Sequence, residues 1–164
     1  IGDVLPDVYG GFGTSVSWKG FDFSADFTYQ IGGKVYDGTY AGLMSLDKGY
    51  GIHEDMLNAW SPENTGSDIP RMVYNDSYMA SSSDRFLTDA SYLSLQNVTL
   101  GYTLPKSITM KFGVDKLRLY VVGDNLWVWA KRKGLDPRQS ITGSASSALY
   151  SSIRTISGGI SVTF

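Results

Sequence analysis

From Phe21 to Ile31 every odd position is apolar (Phe21, Phe23, Ala25, Phe27, Tyr29, Ile31) and every even one polar (Asp22, Ser24, Asp26, Thr28, Gln30). Successive strand side chains point to opposite faces, so this pattern predicts a strand with one wholly greasy side and one wholly wet side. The run before it repeats the alternation, with Phe12, Thr14, Val16 and Trp18 set against Gly11, Gly13, Ser15 and Ser17. Lys19-Gly20 joins the two runs as a two-residue hairpin connection, its glycine suited to the positive φ of a tight turn. The last residues alternate again, with Ile156, Gly158, Ile160, Val162 and Phe164 on one parity and Thr155, Ser157, Gly159, Ser161 and Thr163 on the other.

Two further strands are expected between these, giving five at 11–18, 21–31, 92–104, 116–129 and 153–164. The third keeps Val98, Leu100, Tyr102 and Leu104 on one parity, yet Leu93 and Leu95 fall on the other. A bulge near Gln96-Asn97 is one explanation and an inward apolar patch another. The fourth is apolar on both parities around Leu119, Tyr120, Val121 and Val122, which leaves its facing open. Each strand is near or above the ~9–11 residues that a tilted strand needs to cross a bilayer. The connections alternate between short (19–20 and 105–115) and long (32–91 and 131–152). Short turns at one end and long loops at the other mark an outer-membrane barrel, although a soluble sandwich would show the same arrangement by chance. The expected fold class is therefore all-β: an antiparallel transmembrane β-barrel segment with long extracellular loops.

Composition agrees with an exterior that is not entirely wet. Charged residues make up 18% of the chain, below the ~25% usual in soluble domains, while aromatics reach 13% with 19 glycines. The net charge of -2 gives no basic field for nucleic acid. Absence of cysteine excludes disulfides, thiolate metal sites and a cysteine nucleophile. The aromatics fall at strand ends: Trp18, Phe21, Tyr102 and Phe164 at the short-turn end, Tyr29 with Trp127 and Trp129 near the long-loop end. Two belts of amphipathic rings are expected where strands pass two membrane interfaces; rings capping a soluble core are the other reading.

Five strands cannot close a membrane barrel, whose range begins at about eight. In hydrocarbon each unpaired backbone group on an open edge costs several kcal/mol, so strands outside this sequence are expected to complete the sheet. The chain opens at Ile1 with neither an initiator methionine nor a leader pattern, and is expected to be the C-terminal portion of a larger polypeptide.

The runs YLSLQNVTLGYTLPKSI, LRLYVVGDNLWVWAKRKGLDPRQS and RTISGGISVTF, with VYGGFGTSVSWKGFDFSADFTYQIGGKVYD upstream, resemble the C-terminal region of SusC/RagA-type TonB-dependent outer-membrane transporters. That resemblance implies a barrel of roughly 22 strands with a plugged lumen, of which this chain would supply the last five strands and two extracellular loops. It implies import of large nutrients, typically oligosaccharides and in some members peptides. The partners implied are the remaining barrel and plug, a SusD-like surface lipoprotein lying as a lid, the TonB complex acting through the plug, and outer-membrane lipid. No cofactor is implied, and the location is the outer membrane of a Gram-negative bacterium.

The first long loop holds Tyr36, Tyr40, Tyr50, Trp60, Tyr74 and Tyr78, rings that suit either contact with substrate or lid, or packing of the loop on itself. Asn64, Asp68, Asn75 and Asp76 lie among them as hydroxyl partners. The second opens with Lys131, Arg132 and Lys133, a basic cluster just outside the Trp127/Trp129 belt that suits anionic lipopolysaccharide head groups. His53, the only histidine, is expected at the surface rather than on a metal. Asp22 and Asp26 share the wet side of one strand and are read as conduit-facing rather than as a glycosidase pair. With no nucleophile elbow or phosphate loop, no enzyme is expected. The other function classes weighed are a secreted carbohydrate-binding β-sandwich and a passive porin or adhesin barrel.

An alternating last strand ending in an aromatic also resembles the signal read by the barrel assembly machinery, which assigns that role to Phe164. Deleting Phe164 from the complete receptor is expected to lower its folded level in the membrane on heat-modifiability gels. An unchanged level would count against the assignment.

Overall fold

The computed structural model describes residues 2–46, 51–76, 78–79, 81–139, 143–145 and 150–164. Its strands are β1 (Val8–Trp18), β2 (Phe21–Ile31), β3 (Lys34–Asp37), β4 (Leu87–Asp89), β5 (Tyr92–Thr103), β6 (Lys116–Ala130), β7 (Ser144–Ala145) and β8 (Thr155–Thr163). A six-residue helix α1 (Gly38–Leu43) follows β3, and α2 (Lys106–Thr109) sits in the turn between β5 and β6. The long strands form one antiparallel sheet in the order β1-β2-β5-β6-β8. The short ones form a second sheet, β4-β3-β7, whose β3–β7 pairing is parallel.

The hairpin between β1 and β2 forms where the sequence places it. Lys19 and Gly20 both have positive φ, 48° and 91°, the geometry of the two-residue turns whose twist matches that of the flanking strands. A Cβ at Gly20 would run into the carbonyl oxygen of Thr103 on the neighbouring strand. β1 starts three residues earlier than the alternation suggested, because Val8, Tyr9 and Gly10 continue the register opposite Ile31, Gln30 and Tyr29.

Register then sorts the side chains. Trp18, Phe21, Tyr102 and Leu119 are aligned across four strands, as are Val16, Phe23, Leu100, Val121 and Gly158 across five. Leu93 and Leu95 join this same side because the ladder shifts at Gln96: Asp26 pairs Asn97 while Phe27 pairs Leu95. The irregularity carries into β6, where Asn97 pairs Asp124 but Leu95 pairs Trp127, with Asn125 at φ 51°. A bulge, not an inward apolar patch, is thus the reason for the parity switch, since one extra residue exchanges the two faces. The two-sided apolarity of β6 is resolved as well. Leu119 and Val121 share the greasy side, while Tyr120 and Val122 lie opposite Gly101 and Thr99 on the other.

A sandwich would require a second layer over the greasy side. Among the described residues there is none: Phe12, Val16, Phe23, Leu100, Val121 and Ile160 are all exposed. The buried core lies instead inside the first long connection, which folds into a unit of its own. Ala41, Met44, Met56, Met79 and Phe86 pack together, with Tyr36, Tyr40 and Ile69 against them. Asp37 starts α1 by accepting from the Tyr40 amide at 2.9 Å, a side-chain cap for an otherwise orphaned donor. Phe86, 1% exposed, meets Tyr36 and Tyr40 edge-on at 6.0 and 5.9 Å between ring centres.

Because that core is separate from the five-stranded sheet, its loss should be local. Phe86→Ala in the complete receptor is expected to cost about 3–5 kcal/mol within the loop unit. Limited proteolysis should then cut between residues 38 and 90 much faster, with the strand signal in circular dichroism unchanged.

Candidate functional site: two faces of one sheet and a latched loop unit

The greasy side exposes large apolar residues on all five long strands, among them Phe12, Phe23, Leu100, Val121 and Ile160, the kind of contiguous patch that marks an interaction surface. Its aromatics occupy the two ends. Phe21 and Tyr102 pack at 4.4 Å between centres, beside Trp18, which carries Lys19 Nζ 4.8 Å over its ring. At the other end Tyr29, Leu93 and Trp129 share a row, with Phe27, Leu95 and Trp127 in the row below. Phe164 follows β8 and is 91% exposed. Eight residues separate Phe21 from Tyr29, about 26 Å along the strand, or about 20 Å along the normal at the ~40° tilt usual in membrane barrels. That is close to the height of the apolar band such barrels present to lipid.

The opposite side is polar and internally bonded. Arg118 on β6 donates through Nε to Asp22 Oδ1 at 3.0 Å and through Nη2 to Oδ2, a fork-to-carboxylate pair laid over Gly101. Asn97 donates to Asp124 Oδ1 at 2.7 Å and accepts from Thr99 at 3.2 Å. Gln96, freed from the ladder by the bulge, donates to the Thr28 hydroxyl at 3.1 Å. Tyr120 lies across Gly159, where any Cβ would collide with its ring. Asp22 is therefore held on the polar side by a cation, Arg118, and not set against a second carboxylate as a glycosidase pair would require.

Two arginine latches tie the second loop down. Arg132 Nε reaches Asp37 Oδ2 at 2.9 Å, and its guanidinium stacks 3.5 Å over the Tyr40 ring. Arg138 grips Asp136 through Nε and Nη2 at 2.9 and 2.7 Å, and its Nη1 donates to Ser94 Oγ, at 2.8 Å, on β5. The backbone adds a third tie, since the Tyr36 amide donates to the Gly143 carbonyl at 2.7 Å where β7 meets β3. This corrects the expectation of a three-residue basic cluster beside the aromatic belt. Lys131 and Lys133 are exposed, but Arg132 is half-buried and turned into the loop unit, because Asp37 is a buried carboxylate that needs a partner.

The predicted loop aromatics divide. Tyr36 and Tyr40 line the loop core, Tyr40 also donating to Asp55 Oδ2 at 2.7 Å and meeting the His53 ring edge-on at 4.8 Å. Burial, reinforced by the Asp55 carboxylate and opposed by Arg132, pushes the Tyr40 hydroxyl above its ordinary range. Trp60, Tyr74 and Tyr78 are exposed, Tyr78 to 85%; Tyr50 lies outside the described residues. His53 is a half-buried capping residue, its Nδ1 accepting from the Asp55 amide at 3.1 Å. Asn64 and Asp76 serve their own turns: the Asn64 side chain donates to the Asn58 carbonyl, and Asp76 accepts from the Tyr78 amide. The latches Arg118–Asp22 and Arg132–Asp37 join residues 96 and 95 positions apart and left no local signature in the sequence. Asp136-Pro-Arg138 was within reach as a short-range acid–base pair.

A sheet with an uncovered greasy side, a bonded polar side and two margins that no described strand pairs is the wall segment of a membrane β-barrel. No family model matches the chain. TonB-dependent receptor P3 of Formosa agariphila is 34% identical over the whole chain, which spans 17% of that protein. TonB-dependent receptor SusC of Bacteroides thetaiotaomicron is 31% identical over 80% of this chain and 13% of its own length. A solved structure of the RagAB peptide transporter superposes with a TM-score of 0.82 at 28% identity, covering 98% of this chain and 18% of that one. The chain belongs to the SusC/RagA-type TonB-dependent receptors.

The Asp136–Arg138 latch sets a pH dependence. Burial raises the Asp136 carboxyl, but hydrogen bonds and charge from Arg138 outweigh it and hold it below the usual range. A carboxylate with a depressed folded value stabilises above its unfolded value, about 4, and that stability is lost as pH falls through the folded value. Hydrogen exchange in residues 131–139 should accordingly be flat from pH 5 to 8 after correction for intrinsic rates, and rise below about pH 4. Arg138→Gln should bring the same loosening at neutral pH, on the order of 3 kcal/mol, by leaving Asp136 buried without its cation.

Proposed function

We propose that this chain is part of an outer-membrane importer that moves large nutrients across the barrel it helps to build. The observation that supports this most is the two-sidedness of the sheet. Its greasy side suits acyl chains, its wet side suits a hydrated conduit or a plug, and neither face suits a soluble enzyme. The relatives named as TonB-dependent receptors and as a peptide transporter point the same way. In this reading the short-turn end faces the periplasm, the latched loop unit faces outward, and energy comes from TonB through a plug carried elsewhere in the receptor. A SusD-like lipoprotein lies over the outer mouth.

Cargo in this reading is an oligosaccharide or a peptide, and Trp60, Tyr74 and Tyr78 are the residues of this chain offered to it or to the lid. Tyr36 and Tyr40 support them from within. Rings of this kind present flat apolar faces that stack on sugars and on peptide side chains alike. The passive-pore alternative differs in one respect that can be measured. Uptake of the receptor's nutrient by whole cells should vanish when TonB is inactivated, with the receptor still present in the outer-membrane fraction. Uptake that persists without TonB would overturn the energised reading. Replacing Trp60, Tyr74 and Tyr78 together by Ala should lower uptake or lipoprotein co-purification severalfold without changing receptor abundance.

A further inference from the structure

The wet side carries an aromatic row at its long-loop end. Tyr9 on β1, Gln30 on β2 and Tyr92 on β5 stand abreast in register, two phenol rings with an amide between them. Strand spacing sets Tyr9 and Tyr92 about 10 Å apart at the backbone. The row beneath is small, Gly11, Thr28 and Ser94, which leaves a recess below the rings. There the wall encloses a cavity of about 460 Å³, lined by Tyr9, Gln30, Tyr92 and Thr28. Val35 of the small sheet and Pro137 of the second loop line it as well, so the latched loop unit supplies part of its boundary. That volume lies in the range of small-molecule sites.

The polar groups in this cavity suit a neutral, hydroxyl-rich guest. Tyr9 is 77% exposed and Tyr92 half-buried, and among the described residues neither hydroxyl has a hydrogen-bond partner. Gln30 donates through Nε2 to the Ala90 carbonyl at 3.4 Å, which leaves its Oε1 as an acceptor. Thr28 accepts from Gln96 Nε2 at 3.1 Å and keeps its own proton to donate. The charges in the lining are already answered. Arg138 is gripped by Asp136, and Lys34 stands opposite Asp89 in the β3–β4 ladder. Asp7 lies against Gly32, outside the lining.

An extended peptide finds little here. β2 and β5 are interior strands with a neighbour on each side, so the floor offers no open edge on which a peptide could add as a strand. Aromatic faces, an amide and a hydroxyl remain, the groups that stack on a sugar ring and exchange hydrogen bonds with its hydroxyls.

We infer that Tyr9, Gln30 and Tyr92 form a subsite for one uncharged sugar unit of the cargo, on the conduit side of the wall. The inference rests on the importer reading and narrows its cargo to a neutral oligosaccharide.

The test applies the complete receptor, purified in detergent without a lipoprotein and fluorescently labelled, to an array carrying neutral, sulfated and uronate-bearing oligosaccharides and short peptides. Expected is binding confined to neutral oligosaccharides. Tyr9→Ala and Tyr92→Ala should each weaken it about fivefold, the scale of one aromatic contact, while Tyr9→Phe, which keeps the ring, should weaken it less. Gln30→Leu, which keeps the bulk and removes the amide, should also weaken it, and serves where an alanine variant fails the heat-modifiability check for folding. Preference for peptides or for acidic oligosaccharides, binding to no member of the array, or neutral binding indifferent to these substitutions would each overturn the inference. Failure of the importer reading shows separately, as nutrient uptake that persists without TonB.

Discussion

Backbone hydrogen bonding in a medium without water governs this structure. Each strand of the large sheet satisfies its amides and carbonyls only through a neighbouring strand, and in hydrocarbon no solvent makes good a missing one. A sheet greasy on one side is therefore stable next to lipid only when its margins are paired, which makes the strands of a membrane barrel collectively obligatory. The side chains conform to that demand. Glycine stands at two places where a large polar group lies flat on the inner side, Gly159 under Tyr120 and Gly101 under the Asp22–Arg118 pair. Large apolar residues project outward in rows, since no second layer there limits their size.

The loops obey a different physics. They lie where water is available, so their backbone groups are not forced into ladders, and they gain order by building a small core of methionines and Phe86 with arginine latches around it. Buried carboxylates such as Asp37 and Asp136 are costly alone and stabilising when gripped. The result is a loop unit attached firmly to the rim, though its core is not shared with the sheet.

Much of the sheet was legible in the sequence because period-two alternation is a local signal. It located the hairpin at Lys19-Gly20 and marked the first, second and last long strands, while the parity switch between Leu95 and Val98 left a bulge and an inward apolar patch both open until the register decided for the bulge. The apolar run around Tyr120 was ambiguous because both parities carry large residues, and only the glycines opposite Tyr120 on the neighbouring strands decide its facing. The loop unit was far less legible. α1 is six residues long, too short to show a helical period. β3, β4 and β7 are defined by pairing across long stretches of chain, and Phe86 looks like any loop aromatic until Met44 and Met56 are brought against it. Arg132 was misassigned to a surface cluster for the same reason: its partner Asp37 is remote in sequence.

The parallel pairing of β3 with β7 means that the two long connections are not independent appendages. One contributes the central strand of the small sheet and the other a strand at its margin, with Arg132 riveting them across the Tyr40 ring. A descendant of this sequence that lengthened or shortened either connection would have to recut the other to preserve the seam. Variation in the outward surface should thus be inherited as matched pairs, and exchanging only one of the two between relatives should yield a chimera whose crown comes apart above an intact wall.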